Sequence, residues 1–239
     1  MEAHTPIGWV RAVYNMPPAF AAQSFIAELA HRAGKDHKQY ALELIGPSRK
    51  LNPEKDLSDS WNYTESPTLY PYDTGRLRAV IEAATRGARW GRKLPKGHGL
   101  GLAFCYSFMS YSAVVVEAAV DDKGNVKVIA VDTALDCGPQ INPERIRSQL
   151  EGGVIMGMSL AMSSEITFAK GRVQQSNFHD YEVLRHADQP QTIRTHLVGG
   201  GMDVPLGGVG EPPLPAVAPA LANAIFAATG KRVRSLPIR

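Results

Sequence analysis

From Gly99 to Gly138 the chain reads as strands in immediate succession, and no other stretch restricts the fold so tightly. "GLGLAFCYSF" and "SYSAVVVEAAV" are followed by the turn "DDKGN", and "VKVIAVDTALDCG" then returns. Alternation and β-branched content mark these as strands, and Asp122 to Asn125 carry hairpin chemistry. Strands joined so briefly pair antiparallel, because a parallel partner needs a longer crossover. Both cysteines, Cys105 and Cys137, lie in this run and read as buried thiols, not as a disulfide framework.

Helical spacing dominates before Lys96. "NMPPAFAAQSFIAELAHRAG" has prolines near its start and Gly34 after its end, with Phe20, Ser24, Phe25, Leu29 and Ala33 in register. "KDHKQYALELIG" repeats that design, with Asp36 as the N-cap and Gly46 as the stop. "TGRLRAVIEAATRGARWG" places Leu77, Val80, Ile81 and Ala84 on one side. Between these helices lies a long polar segment, Pro47 to Asp73, of the kind that rests against another surface. After the strands, "INPERIRSQLEGGVIMGMSLAM" opens with an Asn cap and Pro143, and its stripe is Ile146, Leu150, Val154, Met158 and Ala161. Gly152, Gly153 and Gly157 interrupt that helix at about 1 kcal/mol each against Ala. Either a neighbouring element packs closely there or a ligand approaches the backbone. The expected fold is α+β, with a helix-rich segment over residues 1–95 and antiparallel strands with packed helices over 96–239.

Several function classes drop out. Net charge is only +3, and the densest basic group, Arg86, Arg89, Arg92, Lys93 and Lys96, reads as a solvated helix end, so no nucleic-acid partner is expected. No apolar stretch is long enough to span a membrane. The seven histidines form no HExxH or Cys/His zinc pattern, and "GHGLGLAF" and "GGVIMGM" both miss the dinucleotide spacing. "MEAHTPIGWVRAVYN" lacks the layout of an export signal, which reads as cytoplasmic unless the chain is exported with a partner.

The remaining candidate is Glu211 in "GGVGEPPLPAVAPALANAIFAATG". Glycines before it let backbone approach a ligand, and the prolines after it fix where the carboxylate points. Placed just before a helix, the acid is either an N-terminal helix charge or a general base whose charge the dipole and a dry pocket balance.

That segment, extended to "GKRVRSLPI", resembles the C-terminal end of molybdenum-binding large subunits in the xanthine dehydrogenase and aldehyde oxidoreductase superfamily, most nearly the isoquinoline 1-oxidoreductase β-subunit type. The likeness continues through "VDTALDCGPQINPERIRSQLEGGVIMGMSLAMSSEITFAKGRVQQSNFHDYEVLR" and, more weakly, "GWVRAVYNMPPAFAAQSFIAELAH". It implies the C-terminal portion of a molybdopterin-binding domain, with Glu211 as the base that takes a proton from the oxygen attacking an electron-poor carbon. It implies that Gln149 contacts the molybdenum cofactor and gives weight to ligand approach at Gly152, Gly153 and Gly210. Asn177, Phe178 and Tyr181 lie in a segment that lines the approach in that family, although a structural hairpin is the alternative. The implied cofactor is a molybdopterin dinucleotide, typically the cytosine form, whose metal is held by pterin sulfurs without a side-chain ligand. Electrons would leave toward two-iron two-sulfur clusters on a small iron–sulfur subunit.

The chain is much shorter than that family's large subunit and lacks its N-terminal portion, which carries most of the cofactor-cradling loops. It is therefore expected to act on a small-molecule substrate, an aldehyde or N-heteroaromatic, only together with the remainder of the large subunit. The alternative is a truncated or relic chain that folds or binds a partner without catalysis. Alone, it is expected to hold no cofactor.

Overall fold

The computed structural model describes residues 8–52, 55 and 62–238. In chain order the described elements are α1 (Met16–Arg32), α2 (His37–Ile45), β1 (Lys50–Leu51), β2 (Tyr72–Asp73), α3 (Thr74–Gly87), β3 (His98–Ser107), β4 (Ser110–Val120), β5 (Val126–Asp136), α4 (Pro143–Met162), β6 (Phe168–Ala169), β7 (Arg172–Val173), β8 (Thr192–Leu197) and α5 (Val217–Thr229). The predicted caps form. Asp36 accepts from Gln39 N at 3.0 Å, Asn142 accepts from Arg145 N at 3.1 Å, and Gly46 ends α2 with a φ of 75°. Part of the long 47–73 segment lies outside the described residues.

The main sheet runs β3–β4–β5–β8. β3, β4 and β5 pair antiparallel as the sequence predicts, with an irregularity between Glu117 and Ala118. β8 joins β5 in parallel, because α4 supplies the crossover that parallel pairing requires. Both faces of the sheet are covered, which is why β4 reads as a continuous apolar run. Val114 and Val116 pack with α4 and α5, while Ala113 and Val115 pack with α3. The helix-rich N-terminal segment thus shares its core with the strands. Arg76 of α3 clamps Asp136 at the end of β5 through two hydrogen bonds of 3.0 and 2.7 Å.

The closest packing is between α5 and β3. A methyl at Gly101 would run into the Ala220 carbonyl and the Ala224 amide of α5, and one at Gly99 into the Ala224 carbonyl. Helix backbone therefore rests directly on strand backbone. β3 is also a sheet edge, and its outward groups find side-chain partners: Asn223 Nδ2 donates to Leu102 O at 3.1 Å, and Phe104 N donates to Gln23 Oε1 at 3.2 Å. This arrangement changes the expected face of α1. Gln23, Ala27 and Ala30 are its buried residues, whereas Phe25 is 60% exposed, because the face of α1 that lies against α5 and the strand edge is the one carrying Gln23, Ala27 and Ala30.

His37 begins α2 with its ring edge-on to Trp90, and its Nε2 is buried without a hydrogen-bond partner. Burial pushes its pKa down to about 4, overriding the pull of Asp36. The unfolded chain therefore binds a proton that the folded chain refuses between about pH 6.5 and pH 4. Acidification across that window should remove up to about 3 kcal/mol of stability, by the linkage of about 1.4 kcal/mol per pH unit. His37→Phe should flatten the loss, as read from denaturant midpoints at successive pH values. Gly101→Ala should cost about 3 kcal/mol or more by overpacking, since both obstructing atoms are backbone; a smaller shift in denaturation midpoint would mean α5 can slide.

Candidate functional site

Residues 207–216 form an irregular segment across the β3–β4 hairpin, and α5 begins only at Val217. Glu211 lies six residues before that start, outside the first turn where a helix dipole acts. The expectation of a charge just N-terminal to the helix is corrected accordingly. Pro213 and Pro215 disfavour helical backbone at the residues preceding them, which delays the helix. The carboxylate instead accepts from Ala12 N at 3.2 Å through Oε1. Its Oε2 makes no hydrogen bond among the described residues.

Arg11 is the hub of the site. Its Nε donates to Gly210 O at 2.6 Å, and one terminal nitrogen donates to both Gln149 O and Gln149 Oε1 at 2.9 Å. Burial pulls the guanidinium down from its ordinary value and Glu211 opposes that shift, so it stays a cation with a carboxylate nearby. The half-buried guanidinium also lies beside two helix glycines, although only Pro213 comes close enough to require one. A Cβ at Gly152 would stand 3.5 Å from Arg11, and one at Gly153 would meet Arg11 and, more closely, the Pro213 ring at 2.8 Å. At Gly157 the close neighbour is Val217. What approaches α4 here is the chain's own Arg11 and Glu211 segment. Gln149, Gly152, Gly153, Gly210 and Glu211 thus converge on one side chain.

The backbone beneath this hub is strained. Ala12 and Val13 have φ values of 72° and 49°, a left-handed conformation that is costly for a β-branched residue. It persists because Arg11 is tied on one side and Asn15 Nδ2 donates to Ala12 O at 2.9 Å on the other. The turn of the β3–β4 hairpin is similarly left-handed at Phe108 and Met109.

Asn177, Phe178 and Tyr181 lie elsewhere. Their loop closes on itself, with Asp180 accepting from Ser176 N and Asn177 N at 2.9 Å and Phe178 N donating to Asn177 Oδ1 at 2.8 Å. It is tied to the C-terminal end of α4, where Ser159 Oγ accepts from Leu184 N and Ser164 Oγ donates to Glu182 O. Ser159 is ten residues beyond Gln149, or about 15 Å along the helix. The aromatic side chains at the Glu211 segment are others. Phe108 touches Gly208, Tyr63 packs on Phe108 with ring centroids 4.8 Å apart, and Tyr14 stacks on Tyr63 at 6.4 Å. Their separation in sequence left no pattern to find. Arg11 was visible only within "GWVRAVYNMPPAFAAQSFIAELAH", the stretch with the weaker family likeness.

A guanidinium and the Gln149 amide are donors of the kind that suit an anionic, oxygen-rich ligand, and there is room beside them at Gly210, where a Cβ would meet nothing within 4 Å. Among the described residues no cluster of three His, Cys, Asp or Glu could hold a metal ion directly, and no helix is long and apolar enough to cross a membrane.

The sequence matches the molybdopterin cofactor-binding domain family over residues 64–190. It is 36% identical to the β-subunit of isoquinoline 1-oxidoreductase from Brevundimonas diminuta over 248 residues, covering 100% of this chain and 28% of that protein. It is 32% identical to a subunit of nicotinate dehydrogenase from Pseudomonas putida over 232 residues, covering 96% of this chain and 18% of that one. The chain therefore spans under a third of the length of these relatives. Its fold is similar to aldehyde oxidoreductase from Desulfovibrio gigas, with a TM-score of 0.67 at 14% identity over 95% of this chain and 40% of that one.

Replacing Arg11 by Met should lower stability by about 2 kcal/mol, the loss of charged hydrogen bonds to the Glu211 segment and to α4. Gln149→Ala gives up only the side-chain bond and should cost less. Denaturant midpoints of the two variants check the order, which reverses if Arg11 is not the hub.

Proposed function

Because the chain belongs to the molybdopterin cofactor-binding family, among the molybdenum-binding subunits of the xanthine oxidase family, we propose that it is the C-terminal catalytic part of a molybdenum hydroxylase. The observation that carries this reading is Glu211, with one carboxylate oxygen held by Ala12 N–H and the other left without a partner among the described residues. A general base needs such a division: one oxygen fixes the geometry and the other takes the proton. When bound, the molybdenum cofactor would supply the two-electron oxidation of the substrate carbon, with water as the source of oxygen.

Within that reading, Gln149 and Arg11 hold the cofactor's polar edge, and Gly210 leaves room beside it. Gly153 serves the site by admitting Pro213 to the helix backbone, and Gly152 faces Arg11 beside it. Tyr14, Tyr63 and Phe108 form an aromatic wall beside the segment that carries Glu211, which favours a flat ring over a small aliphatic aldehyde. Two relatives are named for isoquinoline and nicotinate, and an N-heteroaromatic substrate fits that wall. Asn177, Phe178 and Tyr181 take part only if substrate reaches their end of α4 in the assembled enzyme. The cofactor is read as the cytosine dinucleotide form, and iron–sulfur clusters on a partner protein are read as the electron acceptor.

Glu211→Gln keeps the size and the Ala12 hydrogen bond but cannot take a proton. In the enzyme assembled with the rest of the large subunit it should lower kcat by roughly a thousandfold, within the range for general-base loss. Molybdenum content should stay at the level of the unaltered enzyme. Turnover that survives the substitution would refute the assignment, and loss of molybdenum would make Glu211 a structural residue.

A further inference from the structure

The face of the β3–β4 hairpin under the Glu211 segment carries a row of small polar side chains. Cys105 pairs with Ser112 and Ser107 with Ser110 across the two strands, and all three serines are fully buried. Farther along, the same sheet face holds Ala103, Val114 and Val116. Buried hydroxyls among such neighbours are costly unless each finds a partner.

Two of them do. Ser110 Oγ donates to Gly208 O at 2.6 Å, and Ser112 Oγ donates to Pro212 O at 2.8 Å. These carbonyls lie on either side of Glu211, one residue after it and three before. Gly208 N also donates to Phe108 O at 2.7 Å, so that peptide is held from both ends by the hairpin. Gly207 N donates to Cys137 O at 2.8 Å, and a methyl at Gly207 would collide with Ser110 Oγ. The reason for side-chain donors is in the sequence. Pro212 and Pro213 have no N–H, so this turn cannot be closed by its own backbone, and the Pro212 carbonyl is satisfied from the sheet. Cys105 Sγ lies 3.2 Å from Ser112 Oγ and 3.8 Å from the Pro212 carbonyl, so the thiol stands beside the same contact.

We infer that Ser110 and Ser112 are positioning residues for Glu211: their hydroxyls clamp the carbonyls of Gly208 and Pro212 and so set where the carboxylate points. The inference rests on Glu211 being the base, and its test separates the two. Ser110→Ala and Ser112→Ala are made in the enzyme assembled with the rest of the large subunit, beside Ser107→Ala. Ser107 lies on the same hairpin face, but its hydroxyl reaches neither carbonyl of the turn.

Hydrogen–deuterium exchange of peptides covering 207–214 should quicken in the Ser110 and Ser112 variants and stay unchanged in the Ser107 variant. kcat should fall about tenfold for Ser112→Ala, the scale of one lost buried hydrogen bond, with KM and molybdenum content held. Unchanged exchange, an equal effect from Ser107→Ala, or a kcat that falls only in step with molybdenum would each overturn the clamp. Faster exchange together with a fully active Glu211→Gln enzyme would overturn the role of Glu211 as base, and the positioning role with it.

Discussion

Everything near the site depends on α5 lying against the bare backbone of β3. With no side chain at Gly99 or Gly101, the helix settles closer to the strand than any packed side chain would permit. Asn223 then reaches the Leu102 carbonyl and Gln23 reaches the Phe104 amide, so the edge strand is closed by amides instead of by another strand. The position of α5 fixes the segment that leads into it. Residues 207–216 have to cross the end of the hairpin, and Glu211 is carried there with them.

That crossing is expensive in unpaired backbone groups, and the way they are satisfied explains much of the surrounding sequence. Prolines remove two amides that might have closed the turn, which leaves its carbonyls to side chains. Arg11 takes Gly210 O, Ser110 takes Gly208 O and Ser112 takes Pro212 O. Three donors from two remote parts of the chain thus bracket one acid. The left-handed backbone at Ala12 and Val13 is the local cost of presenting both the Arg11 side chain and the Ala12 amide to the same turn.

What the sequence disclosed follows from how local each signal is. The three hairpin-linked strands, the Asn142 and Asp36 caps and the α4 stripe depend on neighbours within a few residues, and they were readable. The resemblance to molybdenum-binding subunits singled out Gln149, Gly152, Gly153, Gly210 and Glu211, which the structure brings to one side chain. Arg11 as their hub was not readable, since its partners are 138 and 199 residues away. The face of α1 was misjudged for a related reason. Phe25 and Leu29 stand one turn apart as a core stripe would, but the surface facing α1 is a strand edge and a closely seated helix, against which Gln23, Ala27 and Ala30 are buried and Phe25 is left exposed. The start of α5 was placed too early because helix-forming residues follow Glu211 at once, while the proline restrictions act on the residues before them.

The division of labour at Glu211 also bears on why the glycines precede the acid and the prolines follow it. Before the acid, the backbone has to pass within contact of Ser110 and Phe108, and only glycine leaves room for that at 207 and 208. After it, the chain has to rise from the hairpin onto α5 without turning helical, and prolines impose that path. Had the order been reversed, a proline ring would occupy the space of the Ser110 hydroxyl, and flexible residues would let the helix start beside the carboxylate. The sequence order therefore keeps the acid away from a helix end while fixing its backbone on both sides, as the proposed role of Glu211 calls for a carboxylate held in one direction.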